Sequence, residues 1–518
     1  MPCWCLSQKG MVFYMKYVLG IDLGTSGTKT VLFTQLGESV ASHTVEYPMA
    51  QPHNGWAEQD PADWWNATVA GIQSVLAESK INPADIAGIG LSGQMHGLVM
   101  LDKNNQVLAP SILWCDQRTA TECAEIEELV GSARLRELAA NPALTGFTAP
   151  KILWMRKHHP DLYAQCAHIL LPKDYVRLML TGEYATDVSD ASGMLLLDVK
   201  NRCWSGEILE KLDIPETMLA KVYESPEITG YVTEEMAALT GLTAGTPVVG
   251  GAGDNAAAAI GTGTVTDGKA FTTIGTSGVV YVHTDNISID TAGRCHTFCC
   301  AVPGAWHVMG VTQGAGLSLK WFRDELCQEE VRTADILGID PYVIMDKQAD
   351  TSGVGAGQLL YLPYLMGERT PHLDPDARGV FFGLSAKHKR GDLIRAVMEG
   401  VAFSLNDCRS VFGEMGQEIS GMTLCGGGGR SPLWRQIIAD IFDMPVMVTE
   451  NKEGPALGVA ILAAVGAGLY PSVPEACATI IREKEGASPT EENIVTYKEL
   501  YALYCKLYPA LKDLYKAL

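Results

Sequence analysis

Short apolar runs bounded by turn residues recur along the chain and predict strands, while apolar positions at helical spacing between them predict amphipathic helices. The first run, 17–21 (YVLGI), leads into Gly24-Thr25-Ser26-Gly27 and then a second run at 31–33 (VLF). The same succession returns 251 residues later as 270–274 (AFTTI), Gly275-Thr276-Ser277-Gly278 and 279–282 (VVYV). Each reads as strand, tight turn, strand, and the recurrence predicts one structural unit used twice. Runs 86–91 (IAGIGL) and 247–250 (PVVG) predict buried strands whose ends meet polar residues, which is where α/β folds place chemistry. Spacing over 393–405 predicts a helix, and 422–425 (MTLC) a short strand entering four glycines, Gly426 to Gly429. The strand and helix pattern runs to about 261 and restarts after 263–264. Two α/β domains are therefore expected, 17–262 and 263–518, behind an N-terminal extension, 1–16. No low-complexity linker separates them, so a large shared interface with a hinge is expected.

Composition narrows the partners. A formal charge of −21 argues against nucleic acid and against an acidic membrane surface. Any phosphate-bearing ligand must then be held locally. The 14 cysteines include no paired zinc-type spacing. The group Cys295, His296, Cys299, Cys300 sits in a strand-like run and reads as buried thiols, as expected of a cytoplasmic protein. No run reaches the roughly 18 apolar residues of a membrane span.

Five features carry candidate chemistry. Small residues in the two turns, Thr25 and Ser26 in one and Gly275, Thr276 and Ser277 in the other, let backbone N–H groups converge on an anion such as phosphate. Asp22 ends the strand before the first turn, and a carboxylate facing phosphates makes sense with Mg²⁺ between them. The run 24–29 (GTSGTK) is not a P-loop, because Thr28 stands where a glycine should precede Lys29. Asp254 follows Gly250, Gly251 and Gly253 at a strand-to-helix junction and reads as an N-cap; the glycines suggest close approach of a ligand to backbone. Phosphoryl transfer needs only a weak base of this kind. The run 92–97 (SGQMHG) sets hydrogen-bonding groups between glycines that leave room for a small polar ligand. The run Gly426, Gly427, Gly428 and Gly429 offers a flat backbone surface to a purine or ribose.

Together these residues resemble the FGGY carbohydrate kinases, of the sugar kinase, actin and Hsp70 ATPase superfamily, and within them the bacterial xylulose kinases. The resemblance runs over nearly the whole chain from Tyr17. Its most specific pieces are 20–26 (GIDLGTS), 146–154 (GFTAPKILW), 379–384 (GVFFGL) and 392–400 (DLIRAVMEG). Xylulose-kinase character comes from 94–97 (QMHG), 171–175 (LPKDY), 186–193 (TDVSDASG) and 253–255 (GDN). The resemblance implies two actin-like (ribonuclease H-like) ATPase domains with ATP and a small sugar in the interdomain cleft. It implies Asp254 as catalytic base, Met95, His96 and Asn255 at the sugar, and Asp22 near Mg²⁺. It also implies the two turns on the phosphates and the glycine run on adenosine. The expected reaction is direct transfer from ATP to D-xylulose; another ketose or polyol such as ribulose is the alternative substrate. A chaperone-like ATPase scaffold is disfavoured by the glycine-flanked His96 and Asp254. A homodimer is left open.

Overall fold

The computed structural model describes residues 15–451 and 453–518; the expected extension 1–16 lies outside them except for its last two residues. The internal repetition predicted from the turns is a repetition of topology. In the first half β1 (Tyr17–Leu23), β2 (Gly27–Thr34) and β3 (Ser39–Glu46) form an antiparallel meander, and β4 (Ile86–Gly93) lies parallel to β1 on its other side. The sheet continues through β6 (Pro247–Val249), parallel to β4, to β5 (Ile228–Tyr231), and the short β7 (Ala252–Gly253) adds onto the end of β4.

The second half repeats this plan. There β8 (Lys269–Ile274), β9 (Gly278–Thr284) and β11 (Trp306–Thr312) form the meander, with β10 (His296–Cys299) added at its edge. On the other side of β8 run β12 (Gly421–Cys425) and β13 (Val446–Thr449) in parallel, closed by antiparallel β14 (Glu483–Ala487). Each sheet therefore has a hairpin whose first strand is flanked by a parallel neighbour, and the C-terminal ends of the parallel strands converge beside the hairpin turn. The residues predicted to be helical at 393–405 lie inside one long helix, α5 (Arg390–Glu414), which packs on β9 and β11 in the second core.

The halves share buried cores. Helix α6 (Gly454–Gly466) lies in the second half of the sequence but packs on β1 and β4 of the first sheet and on α3 (Asp254–Gly261). The approach is so close that a Cβ at Gly20 would strike the carbonyl of Ala456, and one at Gly90 that of Val459. In the other direction Phe271, Tyr281 and Met309 of the second sheet share a core with Met95, Phe147 and Ile152. This is the large interface expected from the absence of a linker. Among the described residues no helix is long and apolar enough to cross a membrane.

Candidate active site

Asp22, at the penultimate position of β1, pairs in register with Ser92 of β4, and Ser92 pairs on its other side with Ala252 of β7. Two residues beyond Ala252 comes Asp254, so three parallel strand ends bring both aspartates to one place. Burial pushes the Asp22 carboxyl up, opposed by the Ser92 hydroxyl and the Lys29 ammonium. Asp254 is pushed up to about 7 by burial and then by the charge of Asp22. Its Oδ1 accepts from the Asn255 backbone N–H (2.7 Å) and the Asn255 Nδ2 (3.0 Å). Oδ2 receives no bond from the described residues.

Two details differ from the sequence expectation. Asp254 is the first helical residue rather than the N-cap; Gly253 occupies the cap position and the Asp254 side chain caps nothing beyond Asn255. The glycines before it make room for protein rather than ligand. Gly251, at φ +67°, lies against the Leu91 carbonyl, and a Cβ on Gly253 would come 2.8 Å from Cγ of Met95. The irregular strand end that carries Asp254 thus needs glycine to sit flat on β4. Met95, 4 % exposed, is the prop beneath it.

His96 is in the left-handed region at φ +69°. That conformation is held from outside: its carbonyl accepts from Lys151 Nζ (2.8 Å) and Thr148 Oγ1 (3.1 Å), both on α1 (Thr148–His158). Burial lowers the Lys151 ammonium to about 7. The imidazole packs edge-on to Phe147 at 4.9 Å, and burial, then the Lys151 charge, push it well below its ordinary range. It is therefore neutral at pH 7. Nδ1 lies 2.9 Å from the Gly193 carbonyl, which only accepts, so Nδ1 carries the proton and Nε2 presents a lone pair.

The two turns have the same polarity. In the first, Tyr47 Oη donates to the Gly24 carbonyl (2.6 Å) and Gln59 Nε2 to that of Thr25 (2.7 Å), while Trp114 Nε1 donates to Thr25 Oγ1 (3.1 Å). In the second, the first turn of α4 (Ala315–Leu326) donates from Gly316 to the Gly275 carbonyl (2.7 Å) and from Leu317 to that of Thr276 (3.1 Å). Carbonyls are tied back in both, and the N–H groups of Thr25, Ser26, Thr276 and Ser277 meet no acceptor among the described residues. That arrangement suits an anion. Gly426 and Gly428 tuck against Ile274, the last residue of β8, and Gly427 has no atom nearer than 4.0 Å to its missing Cβ. The glycine run and the second turn are thereby neighbours at the ends of parallel β8 and β12.

Sequence reasoning missed Gln59, Tyr47 and Trp114, which act on the first turn from a two-residue strand (Glu58–Gln59) and from loops with no motif of their own. Gln59 also accepts from Gln94 Nε2 (2.8 Å), tying the 92–97 segment to that turn. It missed too the fully buried ionic cluster below β7. Lys173, on α2 (Pro172–Thr181), lies 2.7 Å from Asp174, 2.8 Å from Asp187 and 3.1 Å from Asp190. Arg177 joins Asp174 to the Gly250 carbonyl, and Ser189 Oγ accepts from the Gly253 N–H (3.2 Å). Burial pushes the Asp190 carboxyl up, against the pull of the Lys173 charge. Among the described residues no three His, Cys, Asp or Glu side chains form a metal cage. Cys295, His296, Cys299 and Cys300 are buried in and beside β10, with His296 Nδ1 on Asn141 Oδ1 (2.9 Å). Asp22 fits Mg²⁺ only as a carboxylate in a shell completed by phosphate and water oxygens.

Comparison with known proteins agrees with this architecture. The model of the FGGY family of carbohydrate kinases, N-terminal domain, matches residues 17–261, and that of the C-terminal domain matches 270–467. The xylulose kinase of Bacillus subtilis (strain 168) is 40% identical over 504 residues, covering 97% of this chain and 99% of that protein. The xylulose kinase of Escherichia coli (strain K12) is 39% identical over 501 residues, 96% and 99% of the respective chains. A crystal structure described as a xyloylose kinase from Brucella ovis is 38% identical with a TM-score of 0.87, covering 96% of this chain and all of that one.

Proposed function

The chain belongs to the FGGY family of carbohydrate kinases, and from that premise we propose that it transfers the γ-phosphoryl group of ATP to D-xylulose, giving D-xylulose 5-phosphate. The observation that carries the proposal is that Asp254 Oδ2 and His96 Nε2, carried just beyond the ends of the paired strands β7 and β4, and two N–H groups of the first turn have no partner among the described residues. The xylulose kinases of 39–40% identity supply the choice of sugar.

In this mechanism the sugar's terminal hydroxyl lies against Asp254 Oδ2, and His96 Nε2 accepts from a second hydroxyl and fixes the sugar's orientation. Asn255 holds Oδ1 and so aims Oδ2. Met95 fixes the strand end on which Asp254 stands. The new O–P bond forms as the bond to ADP breaks, in line, and the hydroxyl proton passes to Asp254 late in a loose transition state. Thr25, Ser26, Thr276 and Ser277 hold phosphate oxygens through backbone N–H groups, and Gly275 shapes the second turn. Gly426, Gly427 and Gly428 bear the adenosine. Asp22 would hold Mg²⁺, which when bound neutralises charge on the bridging phosphates. Residues 17–262 carry the sugar and the base, and 263–518 the nucleotide.

Initial rates with MgATP across pentuloses, hexuloses and glycerol test the proposal. D-xylulose should give the highest kcat/KM. A tenfold preference for another acceptor would replace it as substrate.

A further inference from the structure

The Arg369 guanidinium makes no salt bridge among the described residues; burial lowers it, and the charge of the adjacent Glu368 opposes that. The Arg369 backbone is firmly held: the Glu368 carboxylate accepts from Thr312 Oγ1 (2.6 Å), the Gln313 N–H (3.0 Å) and the Arg369 N–H (2.7 Å), and Thr370 N–H donates to the Val311 carbonyl (3.0 Å). These contacts clamp residues 368–370 onto the C-terminal end of β11. Thr312 there pairs with Gly278, the last residue of the second phosphate turn, and α4 begins three residues later with its N–H groups on that turn. Arg369 therefore stands beside the second turn. The Gln313 side-chain oxygen, oriented so that its amide nitrogen reaches Met366 O (3.2 Å), accepts from Arg369 Nε (3.3 Å).

Burial pushes both His96 and His296 below their ordinary range, and the Arg369 charge adds to the shift in each. Neighbouring cations are spent: Lys29 pairs with Glu453, Arg118 with Glu58 (2.8 Å) and Asp116 (2.7 Å), and Lys151 lies on two carbonyls. Arg369 has no ion pair among the described residues. A half-buried, unpaired guanidinium is unfavourable until an anion completes it, and its planar fork matches phosphoryl oxygens.

On the kinase reading above, we infer that Arg369 binds the phosphoryl group as it passes from ATP to the sugar and holds it in the product. The sugar oxygen forms the new bond to phosphorus, the bond to ADP breaks, and the proton goes to Asp254; Arg369 donates N–H bonds to non-bridging oxygens and exchanges no proton.

The test uses the full chain and whichever sugar of the panel it phosphorylates fastest, so that a wrong sugar does not disguise a wrong role for Arg369. Arg369→Ala should lower kcat about a hundredfold or more, the usual effect of losing a transition-state donor. Calorimetry should find sugar affinity changed less than threefold and affinity for the corresponding sugar phosphate reduced at least tenfold. Added guanidinium ion at millimolar concentration should restore part of kcat. Arg369→Lys, which keeps a point charge, should fall between the two and serves if the alanine variant does not fold. Loss of sugar affinity with kcat intact, or no change in sugar-phosphate affinity in a folded variant, would overturn the assignment.

Discussion

Asp22 and Asp254 flank the end of one strand, β4, and the charge of the first helps burial hold the second at about pH 7. A carboxyl poised there is half ionised near neutrality, as the proposed role of Asp254 requires. The rate term kcat/KM should fall tenfold per pH unit below about 7 as Asp254 takes up its proton. Asp22→Asn removes the like charge, so whatever activity remains should have its acidic limb at lower pH. A limb unmoved by that substitution would mean that Asp254 owes its shift to burial alone.

Asp254→Asn should keep sugar and nucleotide binding and lose roughly 10²- to 10⁴-fold in kcat. Stability should move the other way. The folded-state pKa lies above the ordinary value of 3.8, so the folded protein binds the extra proton and loses stability as pH rises from about 4 to about 7. The asparagine variant escapes that loss. Its melting temperature relative to the parent should rise across this window and stay higher at pH 8; a constant difference from pH 4 to 8 would contradict the shift.

Asp22→Ala should impair metal-dependent turnover with every acceptor, since placement of the metal and phosphates is common to all of them. Steady-state rates at several Mg²⁺ concentrations with two different sugars check this. Loss confined to one sugar would move Asp22 into the sugar pocket.

His96→Ala should raise KM for the sugar, lower kcat, or both, with sugar-free ATP hydrolysis much less affected. One lost hydrogen bond corresponds to about 0.5–1.5 kcal/mol, and more where a buried hydroxyl is stranded. Because the imidazole is neutral at pH 7, the wild-type KM should stay flat from pH 6.5 to 8 apart from the Asp254 limb. A separate inflection near 6.5 would show that the ring charges.

Lys173→Met should be a stability variant before it is an activity variant. It leaves Asp174 and Asp187 buried around one cation fewer, and breaking such a cluster costs about 3–5 kcal/mol. Asp190→Asn mimics the protonated acid and should change unfolding free energy at pH 7 by less than ~1 kcal/mol. Denaturant titration of both variants decides whether the proton sits on Asp190.

Local pattern determined a great deal. The duplicated tetrapeptide between apolar runs marked both hairpins, because a tight turn and the strands that flank it are encoded within a dozen residues. The same holds for the strand ends at Asp22 and Ser92, and for the glycine run after β12. What tertiary structure alone decided were relations between distant segments. Gly251 and Gly253 serve packing on Leu91 and Met95, which no local pattern distinguishes from room for a ligand. The His96 tautomer depends on the Gly193 carbonyl 97 residues away, and Thr25 is oriented by Gln59 and Trp114. Helix α6 belongs by sequence to the second half and by packing to the first sheet, since its fit requires glycines at positions 20 and 90. Arg369 carries no motif that marks it as unpaired; that follows only when the fold shows which carboxylates are already engaged. Periodicity and turn chemistry are short-range properties and survive in one dimension, whereas burial, pKa and the partner of a charge are set by residues brought near only by folding.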